Sequence, residues 1–127
     1  MNPILAAAAF GFLKGLLAKG APTAERFSSA TLHFAGPLME EIVYRGLPNA
    51  VGGRVFPGLS AAVFARDHIV SEGKRYGLSG APALLRFADV FAGGLLYEKA
   101  FREYGLLGST LAHCLHNLGC TLGRGHK

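Results

Sequence analysis

The chain has 127 residues, half of them hydrophobic and only 17% charged, which suits one folded domain and excludes a disordered chain. Its net charge of +5 permits contact with an anionic surface, but the basic residues are scattered, so we expect no nucleic acid among its partners. We therefore predict a single helical domain over residues 1–127.

Apolar runs separated by glycine and proline predict five helices. In chain order they cover roughly residues 3–18, 24–51, 57–72, 82–103 and 105–122. The breaks contain residues that end or begin helices, namely Gly20-Ala21-Pro22, Gly52-Gly53 with Pro57, Gly77 to Pro82, and Gly105. Pro37 is expected to kink or divide the second helix. Because no stretch alternates as a strand does, we predict an all-α fold, a compact bundle of about five helices.

The helices give mixed signals about a membrane. A span needs about 20 mostly apolar residues, and the one charge-free run of that size, from Tyr104 to Gly123, contains two histidines and an asparagine. Basic residues fall in nearly every predicted loop, so the charge pattern assigns no inner or outer side. Periodicity alone leaves open a polar membrane bundle and a soluble helical domain.

The second predicted helix carries two adjacent carboxylates, Glu40 and Glu41, followed by Arg45. In a helix Glu41 and Arg45 are four residues apart and can pair on one face, while Glu40 points about 100° away. An unpaired carboxylate held away from water suits general-base chemistry. A structural ion pair beside a solvated Glu40 fits the same residues.

The third predicted helix contains Phe64 and, one turn later, His68. A histidine at this position can orient or deprotonate water jointly with a carboxylate, or it can ligate a metal. A helix-end histidine that meets solvent beside Asp67 is the structural alternative.

The last predicted helix presents His113, His116 and Asn117 on one face. Burying such groups is costly unless they find partners, which indicates either a functional cluster or a satisfied polar network in the core. An imidazole and an amide that point at one place can donate hydrogen bonds to a developing oxyanion.

Taken together, these motifs resemble the CAAX-protease and bacteriocin-processing family of glutamic intramembrane endopeptidases. That family is recognised by EExxxR, FxxxH and HxxxN on three successive helices, and here the patterns run from Glu40 to Arg45, from Phe64 to His68, and from His113 to Asn117. The flanking text is also similar, so the family-like core covers about residues 38–119.

The resemblance implies an integral membrane endopeptidase whose substrate is a peptide or protein that can carry a lipid, with membrane lipids as further partners. In this family pattern Glu40 with His68 would activate water, and His113 with Asn117 would stabilise the oxyanion. Glu41 and Arg45 would brace the site, and no cofactor would be needed. Phe64 belongs to the pattern as well, whereas His116 is an imidazole outside it.

Two other hypotheses fit the same residues. A zinc hydrolase could use Glu40, His68, His113 and His116 as ligands. A non-enzymatic helical component of a larger assembly, soluble or membrane-associated, would keep the polar motifs for structural reasons alone.

Overall fold

The computed structural model describes residues 1–18, 31–52 and 58–125, and within these ranges every regular element is helical. Helix α1 covers Pro3–Leu17, α2 covers residues 31–52, and α3 covers Leu59–Tyr76. The stretch Gly80–Arg124 is broken at Gly105, which adopts φ 70° and ψ −163°, into α4 (residues 80–104) and α5 (residues 106–124). The predicted all-α bundle of about five helices is therefore confirmed.

The helix ends follow the expected chemistry. The side chain of Asn2 accepts hydrogen bonds from the backbone N–H groups of Ile4 and Leu5 and so caps α1. Helix α3 ends at Gly77, whose φ of 69° is left-handed. It runs four residues beyond the predicted end at 72. The last turn is polar and exposed, so it lacks the apolar pattern from which a helix is predicted. The predicted stretch 24–30 and the predicted start at Pro57 lie outside the described residues.

Helix α2 is not uniform along its length. Its hydrogen bonding widens into π-type turns at Thr31–Ala35 and at Ile42–Gly46, with α-helical turns between and after them. Pro37, which is expected to kink or divide the helix, lies where the first π-type turn gives way to the α-helical turns of Gly36–Glu41. The second wide turn directly follows the glutamate pair and contains Arg45, and such turns often occur at functional sites.

Helices α1 and α5 run in the same direction and touch through glycines. A Cβ atom on Gly119 would lie 2.7 Å from the carbonyl oxygen of Ala8, and one on Gly11 would collide with the carbonyl oxygen of His116. Gly15 and Gly123 repeat this close approach one turn further along. Small residues at this spacing let two helix backbones pack directly against each other.

We expect Gly119→Ala to lower the free energy of unfolding by about 1–3 kcal/mol, because the added methyl group forces α1 away from α5. Gly46→Ala is the matched control, since its Cβ atom would have 3.8 Å to its nearest neighbours and alanine favours a helix. Thermal unfolding followed by circular dichroism measures both variants. Equal melting temperatures for Gly119→Ala and the parent chain would disprove the tight glycine contact.

The interior is narrow and as often polar as apolar. The buried apolar side chains are mostly alanines, joined by Phe64, Val90 and Tyr97. The buried polar ones are Glu41, Arg45, Ser60, Glu98, Ser109, Thr110, His113 and His116. Many large apolar side chains point outward instead, including Leu17 at 90% exposure and Leu107 at 82%. None of the helices described has the combined length and apolarity needed to cross a membrane, so the expected embedding stays a prediction.

Three side-chain bonds fix α3 in the bundle. The carboxylate of Glu98 on α4 accepts the N–H of Gly58 at the start of α3, at 3.0 and 3.1 Å. Tyr44 on α2 donates its hydroxyl to Asp67 at 2.8 Å, and its carbonyl accepts from Ser60 at 2.6 Å. Burial and the bond to Asp67 raise the pKa of Tyr44 to about 12. These anchors turn the middle of α3 toward the glutamates of α2.

Candidate active site

A buried ion pair forms the base of the site. Glu41 and Arg45 are both fully buried, and Oε1 of Glu41 accepts from the Arg45 guanidinium at 2.9 Å. The other end of that guanidinium donates to the carbonyl of Gly94 on α4 at 3.0 Å. The rings of Phe64 and Tyr97 lie 5.1 and 5.5 Å from its central carbon. Arg45 thus ties α2 to α4 while neutralising Glu41.

Glu41 also orients the imidazole of His113. The same Oε1 atom lies 2.9 Å from Nδ1 of His113 on α5. Because a carboxylate oxygen paired with arginine only accepts, Nδ1 must carry a proton. The ring of His113 stacks on Tyr97, with centroids 4.3 Å apart and 15° between the planes, and it meets the edge of Phe64 at 5.7 Å. The imidazole is therefore held in one orientation by both bonding and packing.

Glu40 lies between two imidazoles. Its Oε2 atom is 3.8 Å from Nε2 of His68 and 3.8 Å from Nε2 of His113. The same atom is shielded from solvent and has no hydrogen-bond partner among the described residues. A separation of this size, between polar atoms with unused hydrogen-bonding capacity, suits a shared water molecule.

The tautomer of His68 is set by the helix itself. Its Nδ1 atom lies 2.9 Å from the carbonyl oxygen of Phe64, one turn earlier on α3, and that carbonyl can only accept. The neutral ring therefore carries its proton on Nδ1 and keeps a lone pair on Nε2, which faces Glu40. The Phe64 ring, with its centroid 4.3 Å from that of the imidazole, supports this orientation.

A half-open cavity of about 60 Å³ adjoins these groups. Its wall includes His68, His113, His116 and Asn117, together with the rings of Phe64 and Tyr97 and the charged residues Lys14, Arg86 and Asp89. The volume exceeds that needed for one water molecule. The imidazoles of His68 and His113 and the amide residue Asn117 thus line one space, and the Glu40 carboxylate lies 3.8 Å from Nε2 of both histidines. Such a set of groups can activate water and receive an oxyanion.

A family model described as type II CAAX prenyl endopeptidase Rce1-like matches residues 22–119. The chain belongs to this family. The matched segment includes all three polar motifs, ends where the sequence pattern placed the end of the family-like core, and begins earlier than the expected residue 38. No curated protein and no solved structure matches the chain.

Membership of this family establishes the general class of activity. The family consists of CAAX-type proteases that act on prenylated proteins, and its members are generally integral to membranes. This chain is accordingly a protein of the CAAX peptidase class.

The structure brings the sequence-predicted residues together on three helices. The Glu40 carboxylate lies 3.8 Å from Nε2 of both His68 and His113, and Asn117 lines the same cavity as both imidazoles. The expected spacing between Glu41 and Arg45 does produce an ion pair. Because α3 continues to Tyr76, His68 lies within the helix and the structural alternative of a helix-end histidine is wrong.

Sequence analysis missed a polar cluster on the other wall of the cavity. Asp89 binds Lys14 of α1 at 2.7 Å and Arg86 at 2.6 Å, and Arg86 also binds Glu72 of α3 at 2.8 Å. The spacing of Arg86 and Asp89 signalled a local pair, but nothing in the sequence placed Lys14 or Glu72 beside them.

Tyr97 was missed as well. It is buried, stacks on His113 and touches the Arg45 guanidinium. Tyr97 follows Gly93 by one helical turn, on the glycine-containing face of α4. This spacing is the signal in the sequence that a large ring fills the space left by small residues.

The residues of the zinc hypothesis are close but do not form a recognisable metal site. Within residues 1–18, 31–52 and 58–125, no three His, Cys, Asp or Glu side chains are placed to hold a metal ion. His116, the fourth ligand in that hypothesis, packs between the rings of Phe10 and Tyr97. The hypothesis gains no support from this geometry.

Proposed function

We propose that this protein is a glutamate-dependent endopeptidase in which Glu40 and His68 activate the water that attacks a peptide bond. The observation that carries the proposal is the position of the Glu40 carboxylate, 3.8 Å from Nε2 of both His68 and His113. When the His113 ring is protonated, a water held there would contact two proton acceptors, the carboxylate and the lone pair of His68. Its oxygen would then be ready to attack a carbonyl carbon in the cavity.

The same geometry supports a role for His113 and Asn117 on the oxyanion side. Attack on the peptide carbonyl places negative charge on its oxygen, which hydrogen-bond donors stabilise. Since Nδ1 of His113 already donates to Glu41, Nε2 becomes a donor only when the ring is protonated. The negative charge that develops on the carbonyl oxygen would balance that positive charge. The amide of Asn117, on the same cavity wall, is the second donor in the proposal.

No covalent intermediate is needed in this scheme. The proton taken from water by Glu40 or His68 can pass to the leaving amine as the tetrahedral intermediate collapses. The enzyme therefore needs only a base, a proton donor and an oxyanion site, and the proposed residues supply all three.

We further propose that lipid covers much of the outer surface. Large apolar side chains point outward on α1, α4 and α5 while Glu41, Arg45 and Glu98 are buried, an arrangement that is uncommon in soluble domains. Helix contacts through small residues, as between α1 and α5, are typical of helices packed in a membrane.

Cleavage of a farnesylated CAAX peptide by the detergent-purified protein tests the proposal. We expect His68→Ala to reduce kcat by about 100-fold or more, because it removes one of the two acceptors for the water proton. His33→Ala is the matched control, since His33 bonds to Thr121 and is not among the described residues that line the cavity, and it should cleave normally.

Three outcomes would contradict this scheme. Equal activity of His68→Ala and the parent chain would remove His68 from the mechanism. Loss of activity on treatment with a zinc chelator, restored by added zinc, would favour the metal-dependent hypothesis. If the parent chain binds membranes but cleaves no peptide, the non-enzymatic hypothesis gains.

A further inference from the structure

His116 is a buried imidazole that the proposed hydrolysis does not use. Only 4% of the residue is exposed, and its Nδ1 atom is shielded from solvent without a hydrogen-bond partner in the described part of the chain. The ring is held by Phe10, at 5.3 Å between centroids, and by the edge of Tyr97, at 5.8 Å. Burial, with a smaller effect of the Lys14 charge, lowers the pKa of His116 to about 3.

A neutral imidazole has one donor and one acceptor. The unpaired state is unfavourable, because buried polar atoms almost always have partners. A ligand that supplied the missing bond would therefore bind more tightly than one that did not.

The ring borders the cavity at a point where the cavity is kept open. A Cβ atom on Gly93 would lie 3.7 Å from Cε1 of His116 and 3.4 Å from the hydroxyl of Tyr97, and all three residues line the space. The absence of a side chain at Gly93 thus leaves room directly beside the imidazole. The Cε1 edge of the ring, which lies between its two nitrogens, therefore borders the space that a ligand group would enter.

We propose that His116 is a substrate-binding residue that hydrogen-bonds the peptide backbone next to the bond being cleaved. The inference rests on the proposed endopeptidase function. A peptide backbone offers both an N–H and a carbonyl, which match the donor and acceptor of a neutral imidazole. His116 acts on binding and not on proton transfer, because the groups that surround Glu40 are His68 and His113.

The test compares His116→Phe, which keeps an aromatic ring between Phe10 and Tyr97, with His116→Gln, which restores a donor and an acceptor. Binding of a fluorescent farnesylated CAAX peptide is measured by anisotropy with Glu40→Gln added to every variant, and kcat is measured without that change. We expect His116→Phe to weaken binding about three- to tenfold, with kcat changed less than about twofold, and His116→Gln to recover most of the loss.

A second variant keeps the inference testable if His116→Phe does not fold. Gly93→Ala adds a methyl group at ordinary contact distance and favours the helix, and it should weaken the same binding by reducing the space beside the ring. Unchanged affinity in both His116→Phe and Gly93→Ala would overturn the inference, as would equal loss in His116→Phe and His116→Gln. A parent chain that binds the peptide without cleaving it would refute the proposed function and leave the affinities to decide the role of His116.

Discussion

Glu40→Gln is expected to reduce kcat for peptide cleavage by about 1,000-fold or more while the fold is retained. Glutamine keeps the size and shape of the side chain but cannot accept a proton from water. The atom that is lost as a base is Oε2, which lies 3.8 Å from the Nε2 atoms of both His68 and His113. Single-turnover cleavage of a farnesylated CAAX peptide measures the effect on chemistry separately from product release.

Glu103→Gln serves as the control for this substitution. Glu103 is a partly exposed carboxylate on α4 that lies 3.9 Å from Lys99, so the same chemical change there should leave cleavage unaltered. A Glu40→Gln protein that retains more than about a tenth of the parent activity would remove Glu40 as the base.

Arg45→Met is expected to lower the free energy of unfolding by about 3–5 kcal/mol, because it leaves the carboxylate of Glu41 buried without its charge partner. Both side chains are fully buried, so water cannot compensate for the loss. The substitution also removes the bond to the Gly94 carbonyl and with it one tie between α2 and α4. Thermal unfolding of the detergent-purified protein gives the measurement.

The double variant Glu41→Leu with Arg45→Met provides the matched comparison. Because no charge is left unpaired, it should be markedly more stable than Arg45→Met alone. It should be inactive, since His113 loses the carboxylate that orients it. Equal stability of the single and double variants would show that the ion pair contributes little beyond packing.

Much of the local structure was predictable from the sequence. The four-residue spacing of Glu41 and Arg45 fixes them on one face of a helix, and the pair is present. Gly105 divides the last helical stretch as expected because its backbone leaves the helical region. Such features depend on neighbours in the chain, and residue types carry that information directly.

Features that depend on contacts between distant parts of the chain were harder to predict from the sequence. The wide turn at Ile42–Gly46 has no clear sequence signal, yet it helps to set the direction of Arg45. The contact of Lys14 with Asp89 joins residues 75 positions apart, and the stacking of Tyr97 on His113 depends on how α4 and α5 meet at Gly105. Only the family resemblance suggested that three helices would present their polar groups to one space.

The most direct measurement is a high-resolution structure of the Glu40→Gln protein with an uncleaved farnesylated CAAX peptide bound. The proposed mechanism predicts a scissile carbonyl carbon within about 3.5 Å of a water that contacts residue 40 and His68, with the carbonyl oxygen turned toward His113 and Asn117. A peptide whose scissile bond lies outside this cavity, or a water held by other residues, would contradict it.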